Sequence, residues 1–419
     1  MNSRQRVEAA INHQQPDRVP LDLGGSAVTG MNVSSVYKLR QALKLDPPGT
    51  PVKVTEAYQM LGEIAPDLQE VLGVDVVGLG GSKSFFGFEY KDWKPWTTFD
   101  GTPVLVPGGF NTQPEPNGDI LMYPENDRSL KPSGRMPKGG FYFDTIVRQE
   151  PIDDAKLNVE DNLEEFGPIS DAMLERYASE TDRMRRESDR AIMANFGGTA
   201  FGDIALVPAP WLRDPKGIRD IAEWYMSTVS RFDYVYELFR RQCEIALQNL
   251  AKVFDAVGDR VSVVFITGTD FGTQTGPFIS PAAYRKLYQP FHRRVNDWVH
   301  AHTPWKTFIH SCGSVMALLP DIVDAGFDIL NPVQCSATGM DPQTLKDRFG
   351  DRITFWGGGI DTQKTLPFGT PEEIRRQVRE RIEVFGHGGG FVFNTVHNVQ
   401  AGVPAENLVA LYDAVRESR

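Results

Sequence analysis

The sequence predicts a (β/α)8 barrel on three observations. Eight short apolar runs recur along the chain, amphipathic helical patterns separate most of them, and helix-start signals follow several of them. Near-continuous apolar runs suit strands buried on both faces of a parallel sheet. Strands alternating with helices suit either a closed barrel or an open doubly wound sheet. A count of eight favours the barrel.

The runs cover residues 19–24 (VPLDLG), 74–80 (VDVVGLG), 191–196 (AIMANF), 261–267 (VSVVFIT), 306–310 (KTFIH), 327–333 (FDILNPV), 353–356 (ITFW) and 391–395 (FVFNT). Between them, residues 171–190 form a charged helical pattern. Residues 214–258 place Ile218, Ile221, Phe232, Val235, Leu238 and Phe239 at helical spacing. Ser280-Pro281 and Thr370-Pro371 are helix starts, because Ser or Thr can cap orphan amides and Pro tolerates the first turn. Val403-Pro404 opens the last helix. Residues 82–151 break the rhythm. They are rich in Gly, Pro, Asp and aromatics, and "FDGTPVLV" and "NGDILMYP" read as hairpin strands around Asp-Gly and Asn-Gly turns. The organisation is thus one barrel domain, 1–419, with a β-hairpin-rich insertion at 82–151 after the second strand.

The net charge of −11 makes nucleic acid and anionic membranes poor partners, since both repel an acidic surface. No run of about 18 apolar residues is present to span a membrane, and the first residues lack the apolar core of a signal peptide. Three cysteines, at 243, 312 and 335, are too few and too odd in number for a disulfide framework. The expected location is the cytoplasm.

In such a barrel the active site lies at the C-terminal strand ends. The fourth run leads into "TGTDFGTQTGPFISP", where Asp270, Thr273 and Gln274 sit among glycines. The fifth ends in His310-Ser311-Cys312. Residues two apart on a strand point to the same side, and both side chains are good zinc ligands; a buried core pair is the competing reading. A metal needs a third ligand, for which Cys335, His397 and Asp270 are candidates. Gln334 closes the sixth run. Asp361 follows the Gly357-Gly358-Gly359 run, either as a polar group on the pocket rim or as the cap of a short helix. Asn195 and Asn394 are the penultimate residues of the third and eighth runs. Cys243 reads as core, and His300 and His302 as helix-terminus groups.

"RVEAAINHQQPDRVPLDLGG", "DFGTQTGPFISPAAYRKLYQPF", "FIHSCGSV" and "ITFWGGGIDTQKTLPFGTPEEI" together resemble the uroporphyrinogen decarboxylase-like superfamily, nearer its corrinoid-dependent methyltransferase branch than true uroporphyrinogen decarboxylase. The resemblance implies a (β/α)8 barrel. In the methyltransferase branch it also implies a zinc held by His-x-Cys and a distant Cys after the last strand. His310 and Cys312 match the pair. The distant Cys is absent from "FNTVHNV", where His397 would take its place. The true decarboxylases hold substrate carboxylates with N-terminal arginines; this chain has none between Arg18 and Arg40.

The leading expectation is a zinc-dependent methyltransferase, or demethylase. It would move a methyl group between a small methylated substrate and a corrinoid (cobalamin-type) cofactor or a separate corrinoid protein. Asp270, Gln334 and Asp361 are its candidate catalytic groups. Asn195, Thr273, Gln274 and Asn394 are its substrate contacts, and His310, Cys312 and His397 its metal ligands. A metal-free decarboxylase and a non-catalytic small-molecule binder are the alternatives. The insertion offers a surface on which a homodimer could form.

Overall fold

The computed structural model describes residues 1–418. Fourteen strands occur among them: β1 (Val52–Glu56), β2 (Leu61–Gly62), β3 (Val76–Leu79), β4 (Lys94–Thr97), β5 (Pro103–Val106), β6 (Ile120–Met122), β7 (Gly134–Met136), β8 (Asp144–Thr145), β9 (Ala191–Ala194), β10 (Val263–Thr267), β11 (Lys306–His310), β12 (Ile329–Asn331), β13 (Thr354–Trp356) and β14 (Phe391–Val392). Seven of them make one curled parallel sheet in the order β3-β9-β10-β11-β12-β13-β14. Their central residues are almost all buried, as expected of strands covered on both faces.

The first apolar run does not form an eighth strand. Leu21 makes a single parallel bridge to Phe393. Phe393 donates to the Pro20 carbonyl (2.8 Å), Asp22 donates to Phe393 (2.9 Å), and Asp75 donates to the Leu21 carbonyl (2.8 Å). The segment therefore joins the two edges of the sheet with a few bonds only. Its ladder is cut short because Pro20 has no N–H to give, and because the chain turns at Gly24, where φ is +84°.

Two cores follow from the two faces. Inside the curl, Val76, Met193, Phe265, Phe308, Ile329 and Trp356 pack against Val7, Ala10 and Ile11. Those last three lie on the helix Ser3–Ile11, begun by an Asn2–Gln5 capping box. Arg4 donates to the Asp189 carbonyl, just before β9, and Gly390, just before β14, donates to Ala10. The N-terminal helix thus plugs the N-terminal end of the sheet and leaves the other end open. Outside the curl, the long patterned segment is two helices, Ile221–Ser230 and Phe232–Val257, rather than one, with Cys243 buried on the second. Ser280 and Thr370 cap their helices as the sequence predicts. None of the described helices is long and apolar enough to cross a membrane.

Within 82–151, β4 and β5 pair antiparallel about Asp100-Gly101, and β6 follows the Asn117-Gly118 turn to pair with β7. The first hairpin does not stand alone. β5 pairs in parallel with β1, so the four-stranded sheet β2-β1-β5-β4 recruits residues upstream of the insertion.

Candidate active site

His310 is the last residue of β11. Phe308, two residues earlier, faces the inner core, so the strand period of two turns the imidazole inward as well. The neighbouring strand supplies its partner. His310 Nδ1 lies 2.6 Å from Asn331 Oδ1, while the Asn331 amide nitrogen donates to the Trp356 carbonyl (2.8 Å). Because the Asn amide is oriented by that second bond, its oxygen accepts from Nδ1–H, and the lone pair of His310 is left on Nε2. Cys312 Sγ sits 3.3 Å from Nε2.

His397 arrives from the far side of the mouth. Its loop is fixed on both sides: Val396 donates to the Ile360 carbonyl (3.1 Å), and the Asn398 side chain accepts from Gly30 N (2.6 Å) and donates to Ala27 (2.8 Å) and Gln59 (2.7 Å). The His310 and His397 ring centroids are 5.3 Å apart. The donor atoms of His310, Cys312 and His397 all lie within 4.8 Å of one another. Of the three third-ligand candidates, His397 groups with the pair, and Asp270 also comes close, its Oδ1 4.0 Å from His310 Nε2. Cys335 Sγ instead lies against the carbonyls of Val333 (3.5 Å) and Gly358 (3.9 Å).

Burial lowers both imidazoles to about 4 and so keeps them neutral at pH 7, the ligating form. It pushes the Cys312 thiol up, with the Asp270 charge adding to the effect. Two neutral imidazoles and a thiol whose anion is costly without a counter-charge are a donor set suited to a divalent cation. His310 is 4% exposed, while Cys312 and His397 reach a cavity of about 380 Å³.

Asp270 braces the triplet. Its Oδ1 accepts from the Cys312 backbone N–H at 2.7 Å and lies 4.0 Å from His310 Nε2. The loop can come this close because Gly272 and Gly313 meet backbone to backbone. A Cβ on Gly272 would stand 2.5 Å from the Cys312 carbonyl oxygen. Gln334 accepts from Gly313 N (2.9 Å) and lines the cavity with Thr273, Gln274 and Asp361. Thr273 also closes its own turn through Gly276. Asp361 lines the rim and accepts from Gln363 N (2.7 Å) and Lys364 N (3.2 Å) in the turn before the short helix Thr365–Phe368, whose N-cap is Lys364 and not Asp361.

Two predicted contacts lie elsewhere. Asn195 lines a separate cleft beside β3 and β9. Asn394 is 1% exposed, donates to Asp22 and Thr29 carbonyls, and lines neither cavity. Three groups escaped sequence reasoning. Asn331 orients His310. Asp203 is buried, its carboxyl raised to about 7 by desolvation first and by the Asp270 charge second. Asp22 is buried, raised to about 6 by desolvation, and accepts from the Trp356 indole (2.8 Å). Only Asn331 had a readable signal, as a polar residue inside the apolar run that neighbours the one ending in His310.

The uroporphyrinogen decarboxylase (URO-D) family matches residues 213–418, the stretch that carries every residue of this corner. That match covers 206 of the 419 residues, so the C-terminal part of the chain resembles the uroporphyrinogen decarboxylase family. Among curated relatives, the uroporphyrinogen decarboxylase of Psychromonas ingrahamii is 37% identical over 87 residues, 20% of this chain and 24% of that protein. That of Pseudoalteromonas atlantica is 25% identical over 186 residues, 41% of this chain and 48% of that protein. The matches thus span between a quarter and a half of those relatives. A methyltransferase from Methanosarcina mazei superposes over 100% of this chain and 99% of its own, with a TM-score of 0.55 and 16% identity. At that identity the likeness is one of fold.

Proposed function

We propose that the protein is a metal-dependent methyltransferase, with zinc held by His310 Nε2, Cys312 Sγ and His397. The observation that carries this reading is the convergence of those three donors, from two strand ends on opposite sides of the mouth, beside a cavity that leaves room for a fourth ligand. Three protein ligands and an open position are the pattern of a catalytic rather than a structural zinc. The metal, when bound, would supply Lewis acidity to a coordinated thiol or oxygen.

The chain's own residues do the rest. Asn331 holds His310 in the tautomer that offers Nε2. Asp270 fixes the Cys312 backbone. Gln334, Thr273 and Asp361 present polar groups to whatever enters the cavity. The acceptor in this proposal is a corrinoid, carried by a separate protein.

A metal-free decarboxylase of the porphyrinogen type is the weaker reading. Such a substrate needs free arginines for its carboxylates. Arg18 is committed to buried Asp75 (2.6 Å), and Arg40 to Asp46 (2.5 Å) and Asp67 (2.7 Å).

The test is spectroscopic. Zinc-loaded protein, a panel of O- and N-methylated donors, and a Co(I) corrinoid are mixed and followed in the visible. Donor-dependent formation of methyl-Co(III), absent with the metal-free protein, is expected. The same rate with and without metal would contradict the proposal.

A further inference from the structure

The larger cavity of the molecule is not the metal corner. A cleft of about 880 Å³ opens at the same end, beside β3 and β9, and runs under the small sheet that begins with β1. Its wall carries Phe85, Tyr90 and Trp211 together with Glu56, the last residue of β1. Phe85 is wedged between Tyr58 (ring centroids 4.7 Å apart) and Trp211 (5.6 Å). The Tyr90 hydroxyl accepts from Ala57 N (3.2 Å), which sets that ring beside the turn holding Glu56.

The charges around the cleft are nearly all spoken for. Glu63 faces Lys53 (3.8 Å), Glu187 pairs with Arg183 (2.5 Å), and Lys83 faces Glu125 (3.9 Å). Arg190 is tied to the Val74 carbonyl (2.9 Å) and to Ser188 (3.1 Å). Glu56, like Arg190, has no ion pair among the described residues. Its two oxygens accept only the backbone N–H groups of Tyr58 (3.0 Å) and Gln59 (2.7 Å). Desolvation pushes its carboxyl up, a cost that an opposing cation would remove.

An uncompensated carboxylate beside aromatic rings favours a cation over a neutral or anionic ligand, because the ring faces add quadrupole attraction. The kind of cation is narrowed by hydrogen bonding. Each Glu56 oxygen already accepts one N–H and keeps one lone pair, so Glu56 can take only two of the three N–H groups of a primary ammonium. An N-methylated ammonium has few or none to satisfy and sets its methyl groups against the rings.

We infer that this cleft is the binding site for a tertiary or quaternary ammonium compound, held by Glu56 and the rings of Phe85, Tyr90 and Trp211. The inference does not rest on the methyltransferase reading above, because the cleft and the metal corner share no lining residue.

Titration calorimetry on the full-length protein tests it, using choline and its uncharged carbon isostere 3,3-dimethylbutan-1-ol. Choline is expected to bind at least about tenfold more tightly than the isostere, the scale of a partly desolvated cation–π and charge contact. Glu56→Gln is expected to abolish that preference, and Trp211→Phe to reduce it less. His310→Ala, which removes a proposed metal ligand, is expected to leave choline affinity unchanged. Equal affinity for choline and the isostere, no choline binding, or a full preference retained in Glu56→Gln would overturn the inference. So would loss of choline binding in His310→Ala, since the ligand would then sit at the metal corner. Intact choline binding without methyl transfer from any donor would count against the methyltransferase reading alone.

Discussion

The two cavities at the open end of the sheet are built in opposite ways. In the corner beside β10 to β14, polar groups stand on strand ends or on short loops pinned by hydrogen bonds, and His310, Cys312 and His397 meet within 4.8 Å. The cleft beside β3 and β9 is larger, aromatic, and walled by long loops and by the appended sheet containing β1 and β5. A site that must place several atoms around one ion needs rigid supports. A site that recognises a ligand body by burial and charge tolerates loops. On the proposed reading the difference separates chemistry from recognition on one fold, and it can be broken one side at a time.

The largest expected effect is on the strand side. Cys312→Ala or His310→Ala removes one of three ligands and should abolish stoichiometric zinc, lowering methyl transfer by at least about 100-fold. Choline binding in the cleft should persist. Metal analysis and calorimetry on the same sample check both. Equal damage to both properties would mean that the two cavities are a single site.

A smaller effect is expected from Asn331→Ala. The imidazole stays, but the partner that fixes its tautomer is lost. Zinc affinity should fall by about 10- to 100-fold, the usual cost of losing an outer-shell partner. Competition with a chromophoric chelator measures it, and Asn331→Gln should not restore it if position as well as chemistry matters.

The last effect, on stability and not on binding, concerns neither cavity. His292 is fully buried in an aromatic cluster, with its Nδ1 3.0 Å from the Tyr284 hydroxyl, and desolvation lowers it to about 3. A histidine whose folded pKa is depressed binds its proton more readily when unfolded. Stability is therefore full above the unfolded value of about 6.5 and declines as the pH falls towards 3. In the metal-free protein, where His310 and His397 add losses of the same sign, the His292 share at pH 4.5 should be about 2–3 kcal/mol. Urea unfolding of wild type and His292→Gln at pH 7 and 4.5 isolates that share.

Much of the strand-side corner is legible in the sequence. Strand position and the period of two pick out His310 and Cys312, and the end of the eighth run picks out His397. Which of His397, Cys335 and Asp270 completes the set is not legible, because it depends on how far each loop reaches across the mouth. The apolar runs locate all seven strands of the curled sheet. They overstate the first, because hydrophobicity at Val19 and Leu21 reports burial and not ladder length. The cleft is nearly invisible in sequence. Its wall joins Glu56, Tyr90 and Trp211, which are far apart along the chain: β1 pairs in parallel with β5 of the insertion, and Trp211 packs against Phe85. The alternation of Val52 and Val54 with Lys53 and Thr55 does signal a strand there, but not its partner.

The central claim is that His310, Cys312 and His397 together hold one metal ion. The most direct measurement is the zinc content of the purified protein, followed by zinc titration of the metal-free form, for wild type and His397→Ala. The account predicts about one zinc per chain, with at least about tenfold weaker binding in His397→Ala. Wild-type protein that neither retains zinc nor takes it up, or a His397→Ala variant that binds it as tightly as wild type, would contradict it.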